Sequence, residues 1–311
     1  MNILDWLVGQ ALPTWSRTGV DTSAGGFFEQ IDLQGGAVEA PRRTRVVARQ
    51  IYVFATAERR GWLPGADALV DHGLRFLRDR LRLPDGTFVS SALPDGSPVD
   101  AEFDLYEQAF ALFALASARR GRADREALCS EALALLDALR ARWAHPHMGF
   151  EESEPRSLPL RSNPHMHLLE AALAWAEISE GRALQAWEAF ADELAALCLS
   201  HFISPASGAV HEQFDGDWRP IPGAGGELVE PGHQFEWAWL LMRWASRGAR
   251  PEALTAAQRL IACGAVPPRA PRAGPRGWPR ASAARPLSTD DPARPARRPR
   301  PVSVANHRRT A

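Results

Sequence analysis

Lysine is missing from the 311 residues, so all 36 basic side chains are arginine. That bias fits a GC-rich coding sequence and excludes nothing functional. Cysteine is scarce: Cys129, Cys198 and Cys263 are odd in number and far apart, which excludes a disulfide framework and fits buried thiols in a reducing compartment. A surplus charge of one sign is also lacking. The net charge of −1 gives no general electrostatic reason for nucleic acid or an acidic membrane surface as partner. Long hydrophobic runs are absent too, since nothing approaches the roughly eighteen uninterrupted apolar residues of a membrane span. The N-terminal stretch MNILDWLVGQALPTW carries Asp5 and no basic residue before Arg17, unlike a secretory signal. A soluble, cytoplasmic protein is expected. With 45% hydrophobic residues, the chain has ample material for a sizeable core in one large or two small domains.

What is present is helical periodicity of two alternating kinds. Segments near 63–81, 123–143 and 183–203 carry one charged and one apolar face, as in ALQAWEAFADELAALCLSHF, and read as outer helices. Segments near 43–59, 103–118, 164–178 and 232–246 are apolar nearly all round, which suits inner helices packed on both sides. Between them, GGFFEQIDLQGG, DGTFVSSALPDGSPVD and SGAVHEQFDGDWRPI carry Asp-Gly and Pro-Asp-Gly turn signals that predict short hairpins gathered at one end. Arg49, Tyr106 and Asn163 fall 57 residues apart and His233 follows 70 later, a recurrence that reads as a repeated helical hairpin. Repeated around a ring, such hairpins give an all-α, α/α barrel whose inner helices bring their first turns to one mouth.

The pattern stops near Cys263. Residues 264–311 hold 10 of the 25 prolines and 11 of the 36 arginines against two acids, leaving a tail at +9 beside a body at −10. Proline at that density breaks helices, and the apolar content is too low for a core. The expected division is a barrel domain over 1–263 and a disordered tail over 264–311, the product of a shifted reading frame.

Several polar residues stand where apolar ones are expected. In EPGHQFEWAWLLMRW, His233 and Glu236 open an apolar run, and helical spacing places His233 on one face with Trp237, Leu240, Leu241 and Trp244. His167 shares a face with Ala171, Trp175 and Ile178, where it is either a satisfied core histidine or a site residue. Arg49, inside VVARQIYVF, needs a partner or a polar cavity; Glu29, Glu107 and Glu236 are the ion-pair candidates. Asn163 before Pro164 fits an ordinary N-cap, and Tyr106 fits a core position. His145, His147 and His165 have no carboxylate at ligand spacing and no third ligand, which argues against metal. Singly each has a bland explanation; together they converge on one cavity.

GGFFEQIDLQG, ARQIYVFA, LYEQAFALFALA, SNPHMHLLEA and EPGHQFEWAWLL resemble, in order and spacing, the N-acylglucosamine 2-epimerase family, which includes mannose isomerases and cellobiose 2-epimerases. The resemblance runs from about Trp6 to Ala262. It implies an (α/α)6 barrel, incomplete at its C-terminal end, acting on sugars without metal or cofactor by moving the proton next to the carbonyl of the opened ring. It implies that His233 is one of two general acid/base histidines, and that Glu236, Asn163, His167, Arg49 and Tyr106 bind or polarise the sugar. Such chemistry needs a base of near-neutral pKa and donors for a developing oxyanion. Glu236 is expected to hold the His233 ring, His167 to open the sugar ring or shuttle a proton, and Trp237 to offer an apolar wall.

The nearest branch is the mannose isomerases, giving aldose–ketose isomerisation of mannose and fructose through an enediolate; 2-epimerisation of N-acetylglucosamine and N-acetylmannosamine is the alternative. Glycoside hydrolysis needs two opposed carboxylates, of which only Glu236 is well placed, and non-catalytic sugar binding is a third class. The expected partner is a monosaccharide, without nucleic acid or membrane, and a homodimer stays open. Nothing after Ala262 matches the family's second catalytic histidine, and His307 is not assigned, so the 311-residue chain is expected to be inactive.

Overall fold

Inner and outer helices alternate as their patterning predicts. The computed structural model describes residues 2–119 and 124–265. The first outer element is α1 (Ile3–Trp6) and α2 (Leu12–Arg17), joined by a π turn at Leu7–Ala11. Four hairpins follow, each an inner helix and its outer partner: α3 (Thr44–Arg59) with α4 (Asp67–Phe76), and α5 (Leu105–Arg119) with α6 (Arg125–Trp143). Then come α7 (Ser162–Ala176) with α8 (Gly181–Leu197), and α9 (Pro231–Ala245) with α10 (Pro251–Gly264). The tail expected from residue 264 lies outside the described residues, apart from Gly264 and Ala265 at the end of α10.

Each inner helix packs on the next, α3 on α5, α5 on α7 and α7 on α9, and each also packs on its own outer helix. The outer helices do this with one face. In α4, Val70, Gly73, Leu74 and Phe76 are buried while Asp67 and Arg75 face water, so a single apolar stripe is enough. The central inner helices have no such stripe. Every residue of α5 from Glu107 to Ala118 is buried. In α7, Trp175 stacks on Trp187 of α8 with centroids 5.4 Å apart, and its indole N–H donates to the Leu112 carbonyl of α5 at 3.0 Å. One side chain thereby ties three helices together. The architecture is that of an (α/α)6 barrel, with four of the six inner helices among the described residues.

The strands differ from the expected hairpins. β1 (Gln30–Ile31) with β2 (Ala37–Val38), and β4 (Ser91–Ala92) with β5 (Pro98–Asp100), are local hairpins. The remaining pairs join successive repeats. β3 (Arg42–Arg43) pairs with β4, β6 (Phe103–Asp104) with β7 (Ser153–Glu154), and β8 (Leu160–Arg161) with β9 (Gln213–Phe214). The first amides of three inner helices continue the stitch: Thr44, Leu105 and Ser162 donate to the carbonyls of Ser90, Glu152 and Glu212; α9 begins with Pro231, which has no N–H to donate. These bonds satisfy helix-start donors that would otherwise be orphaned and hold the inner helices' first turns in register.

A second device recurs at the fourth residue of three inner helices. The Gln108 amide accepts from the Phe88 N–H and donates to the carbonyls of Phe88 and Asp104. Gln234 does the same with Val210 and Glu230. In α7 the position is His165, whose Nε2 accepts from the Phe150 N–H while Nδ1 donates to the Arg161 carbonyl. Gly149 beside it has φ +76°, and a Cβ there would lie 2.9 Å from His165 Nε2, so only glycine lets the loop approach this ring.

Candidate active site

The register of the inner helices decides which side chains meet. Arg49, Phe110, His167 and Glu236 are the sixth residues of α3, α5, α7 and α9, and Tyr52, Phe113, Glu170 and Trp239 are the ninth. These eight, with Leu240, line a cavity of about 270 Å³. Tyr52, Phe113, Glu170 and Trp239 also wall a second space of about 400 Å³, further along the helices, that reaches Arg59, Glu177 and Arg243. Tyr106 and Asn163 are second residues and His233 a third, about one turn nearer the strands. The 57-residue interval therefore compares unlike positions: Arg49 corresponds to Phe110 and His167, not to Tyr106 and Asn163. The recurrence reflects the repeat length, while the layering follows from helical register.

Arg49 is not held by any of the three expected carboxylates. Its Nη2 donates to the Tyr106 hydroxyl at 3.1 Å and its guanidinium lies 4.2 Å from the centre of the Phe110 ring. Glu29 pairs instead with Arg43, and Glu107 with Arg45. Burial pushes the Glu107 carboxyl up to about 7 against the pull of Arg45, a pairing that fastens α3 to α5 beside the site. Arg49 is thus a cation on an aromatic face, tied to a phenol and open to the cavity.

His233 is held from a different element than expected. Its Nδ1 lies 3.0 Å from Oε2 of Glu212, the residue before β9, and the same oxygen accepts from the Ser162 hydroxyl at 3.1 Å. Glu236 does not hold the ring: it lies one turn on, in the cavity lining, and acts on His233 through its charge. The Glu212 hydrogen bond, outweighing partial burial and assisted by the charges of Glu212, Glu236 and Glu230, raises the His233 pKa above the ordinary histidine value. His167 has a similar partner, with Nδ1 at 3.1 Å from Glu170 Oε2. Its ring packs on Phe110 at 4.5 Å and edge-on to Tyr106 at 5.1 Å.

Two further expectations are corrected. Trp237 is fully buried and packs edge-on against Phe202 at 5.8 Å; Trp239 lines the cavity instead. Gln234, not His233, heads the buried stripe of α9 with Trp237, Ala238, Leu241 and Ala245, while His233, Glu236 and Leu240 follow the i, i+3, i+7 face toward the cavity. Asn163 lies inside α7, whose N-cap is Arg161, and its Oδ1 is buried without a hydrogen-bond partner.

Two further histidines, His165 and His145, are structural. His165 is completely enclosed, and burial lowers its pKa to about 4, keeping the latch neutral. His145 is buried with Nε2 at 3.0 Å from the Gly216 carbonyl, accepts from the Trp218 indole at 3.2 Å, and is also lowered by burial. Among the described residues no group of three His, Cys, Asp or Glu side chains is arranged to hold a metal, and no helix is long and apolar enough to cross a membrane.

Sequence reasoning missed Glu212, Glu170 and Trp239. Glu170 was readable as a carboxylate three residues after His167 on one helix. Glu212 had a subtler signal. Phe27, Phe150 and Val210 each form the bridge that closes a loop, and each is followed two residues later by glutamate: Glu29, Glu152 and Glu212.

Comparison with known proteins agrees with this architecture. The family model for N-acylglucosamine 2-epimerase (GlcNAc 2-epimerase) matches residues 26–266. A mannose-6-phosphate isomerase of Rhizobium meliloti (strain 1021) is 46% identical over 260 residues, covering 83% of this chain and 67% of that protein. A D-mannose isomerase of Thermobifida fusca is 32% identical over 229 residues, 68% of this chain and 55% of the relative. In structure, a cellobiose 2-epimerase from Spirochaeta thermophila DSM 6192 superposes with a TM-score of 0.73 at 24% identity, over 84% of this chain and 67% of the other. The chain thus spans about 55 to 67% of the length of these curated relatives. The match over residues 26–266, the 46% identity and the shared barrel architecture place this chain in the N-acylglucosamine 2-epimerase family of sugar isomerases and epimerases.

Proposed function

We propose that the chain carries a site for aldose–ketose isomerisation of D-mannose and D-fructose. The observation that carries the reading is the Glu212–His233 pair, one turn before Glu236 on the same face of α9, whose cavity is lined by Arg49, His167 and Glu236. With Nδ1 engaged by Glu212, His233 Nε2 is the free base. It takes the proton from C2 of the opened aldose; the C–H electrons form the C1–C2 double bond, and the carbonyl electrons move onto O1 as an enediolate. Returning the proton to C1 while O2 becomes the carbonyl yields the ketose. Returning it to the other face of C2 yields the epimer.

The charged Arg49 fork suits the developing oxyanion, and His167, based on Glu170, suits proton transfer between sugar oxygens. Asn163 Oδ1, unpaired within the protein, suits a hydroxyl donor. The cavity of about 270 Å³ lies just below the ligand-pocket range of roughly 300–1,000 Å³, in keeping with a ligand no larger than a monosaccharide. Its lining sets one arginine against two glutamates, a balance that favours an uncharged sugar over a phosphate ester.

Proton abstraction needs only one base, so the test is deuterium uptake at C2 in D₂O, read by NMR, with D-mannose, mannose 6-phosphate and N-acetylmannosamine in parallel. Exchange at C2 of mannose, with or without ketose accumulating, supports the proposal; exchange confined to another sugar moves the substrate assignment, and no exchange in any of them overturns it. His233→Asn is expected to lower exchange roughly 10²- to 10⁴-fold. Arg49→Lys keeps the charge but loses the planar fork, and is expected to be poorly tolerated.

A further inference from the structure

The loop carboxylates Glu29, Glu152 and Glu212 occupy one register in three repeats, each two residues beyond its bridge residue. In two repeats the carboxylate does the same task. Glu29 accepts from the backbone N–H and Nε of Arg43, the residue before α3. Glu152 accepts from the backbone N–H and Nε of Arg161, the residue before α7. In both, a guanidinium at the N-cap neutralises the loop carboxylate and seats the inner helix.

The fourth repeat departs from this. The residue before α9 is Glu230, itself acidic, so Glu212 has no arginine at the usual place. Its Oε2 receives His233 Nδ1 at 3.0 Å and the Ser162 hydroxyl at 3.1 Å, its backbone carbonyl receives the Ser162 N–H at 3.2 Å, and its Oε1 is buried without a partner. The side chain is about nine-tenths buried, where an ionic hydrogen bond is strong and a lost partner is costly.

We infer that Glu212 is the positioning residue of His233: the repeat's structural Glu–Arg latch has been converted into a Glu–His pair that fixes the ring tautomer and binds the base to the α7 helix start. A carboxylate only accepts, so Nδ1 carries the proton and Nε2 keeps its lone pair. Ser162 opens α7, the helix that also carries Asn163 and His167, so the same carboxylate ties the base on α9 to the start of that helix. The charged groups acting on the ring are Glu212 from the loop and Glu236 and Glu230 from α9; α7 contributes only the uncharged Ser162 hydroxyl to the pair. The inference rests on the proposed acid/base role of His233 for its consequence in catalysis, but not for its geometry.

The test uses the whole chain with ¹⁵N-labelled histidine, following the His233 ring by NMR through a pH titration. The wild-type ring is expected as the Nδ1–H tautomer, titrating above the ordinary histidine range of about 6.5. Glu212→Gln should lower that midpoint and mix the tautomers, while C2 exchange falls roughly 10- to 100-fold with KM little changed, the usual scale for losing a partner that orients a reactive group. Glu212→Asp, which keeps the charge and gentler packing, should restore the tautomer in part. Ser162→Ala should leave the midpoint raised, showing that the Glu212 carboxylate and not helix seating sets it. An unmoved midpoint and tautomer in folded Glu212→Gln, confirmed by a cooperative melt, would overturn the assignment. If the midpoint drops but no sugar exchanges even in the wild type, the pair stands and the isomerase reading fails.

Discussion

α5 and α7 lie in the middle of the arc of inner helices, α3 and α9 at its two ends; α5, α7 and α9 are apolar nearly all round, while α3 carries a more polar face. Their surroundings differ. No large apolar side chain of α5 or α7 is exposed, whereas Tyr52 and Val53 of α3 and Phe235, Trp239 and Met242 of α9 are each 39–47% exposed. Leu254 and Ile261 of α10, and Ile3, Leu4 and Trp6 of α1, extend the same exposure on the outer layer. An apolar-all-round helix therefore records a demand for two inner neighbours, and burial follows only where both are present. At about 25 cal/mol per Å², each few hundred Å² left in water forgoes several kcal/mol, so the ends of the arc are where association with other apolar surfaces is expected.

The sharpest way to test this contrast is truncation of one tryptophan in each region. Trp175→Ala removes a fully enclosed ring, its stack on Trp187 and its bond to Leu112, and is expected to cost about 3–5 kcal/mol in urea unfolding. Trp239→Ala at the end of the arc should fall within about 1 kcal/mol of wild type. Equal losses would mean that the end helices are as tightly packed as the middle.

The next test exchanges latch chemistry between the two regions. His165 titrates at about 4 in the fold against about 6.5 unfolded. A depressed pKa contributes stability that is present above 6.5 and lost as pH falls toward 4. Wild type should therefore lose roughly 2 kcal/mol more than His165→Gln between pH 7 and pH 5, since glutamine makes the same bonds at Gln108 and Gln234 without titrating. Gln234→His should import acid sensitivity into α9. Parallel melts at the two pH values that show no difference would remove the titrating latch from the account.

The smallest expected effect is on stability and the most visible on solubility. Val53→Arg and Met242→Arg replace exposed apolar groups at the two ends and should shift unfolding by no more than about 0.5 kcal/mol. Self-association, followed by light scattering at rising concentration, should decrease in both. Unchanged association would place the sticky surface elsewhere.

Much of the fold was legible because the two helix types differ in period and polarity over long segments. The expected inner ranges fall within two residues of α3, α5, α7 and α9 at nearly every boundary, since Arg, Pro and Gly at the helix ends mark where the pattern stops. The strands were less legible. Strands of two or three residues have no periodicity of their own, and most pair with the next repeat, so their partners lie about 50 residues away and not across a turn. The candidate residues were recognisable as polar groups in apolar helices, yet their partners were misassigned: Arg49 meets Tyr106 and not a carboxylate, His233 meets Glu212 and not Glu236, and Trp239 lines the cavity where Trp237 was expected. Each error is one of rotation about a helix axis or of reach between elements.

Patterning by itself determined that α5 and α7 must be inner helices, that α4, α6 and α8 must be outer ones, and that His167 and His233 stand near helix starts, because helical periodicity is a local property read within a few turns. Only the tertiary structure decided that Glu212 holds His233 while Glu152, in the same loop position, holds Arg161. That choice depends on which side chain the following helix start offers, and hydrogen bonds between elements are set by distance in space, which spacing along the chain does not encode.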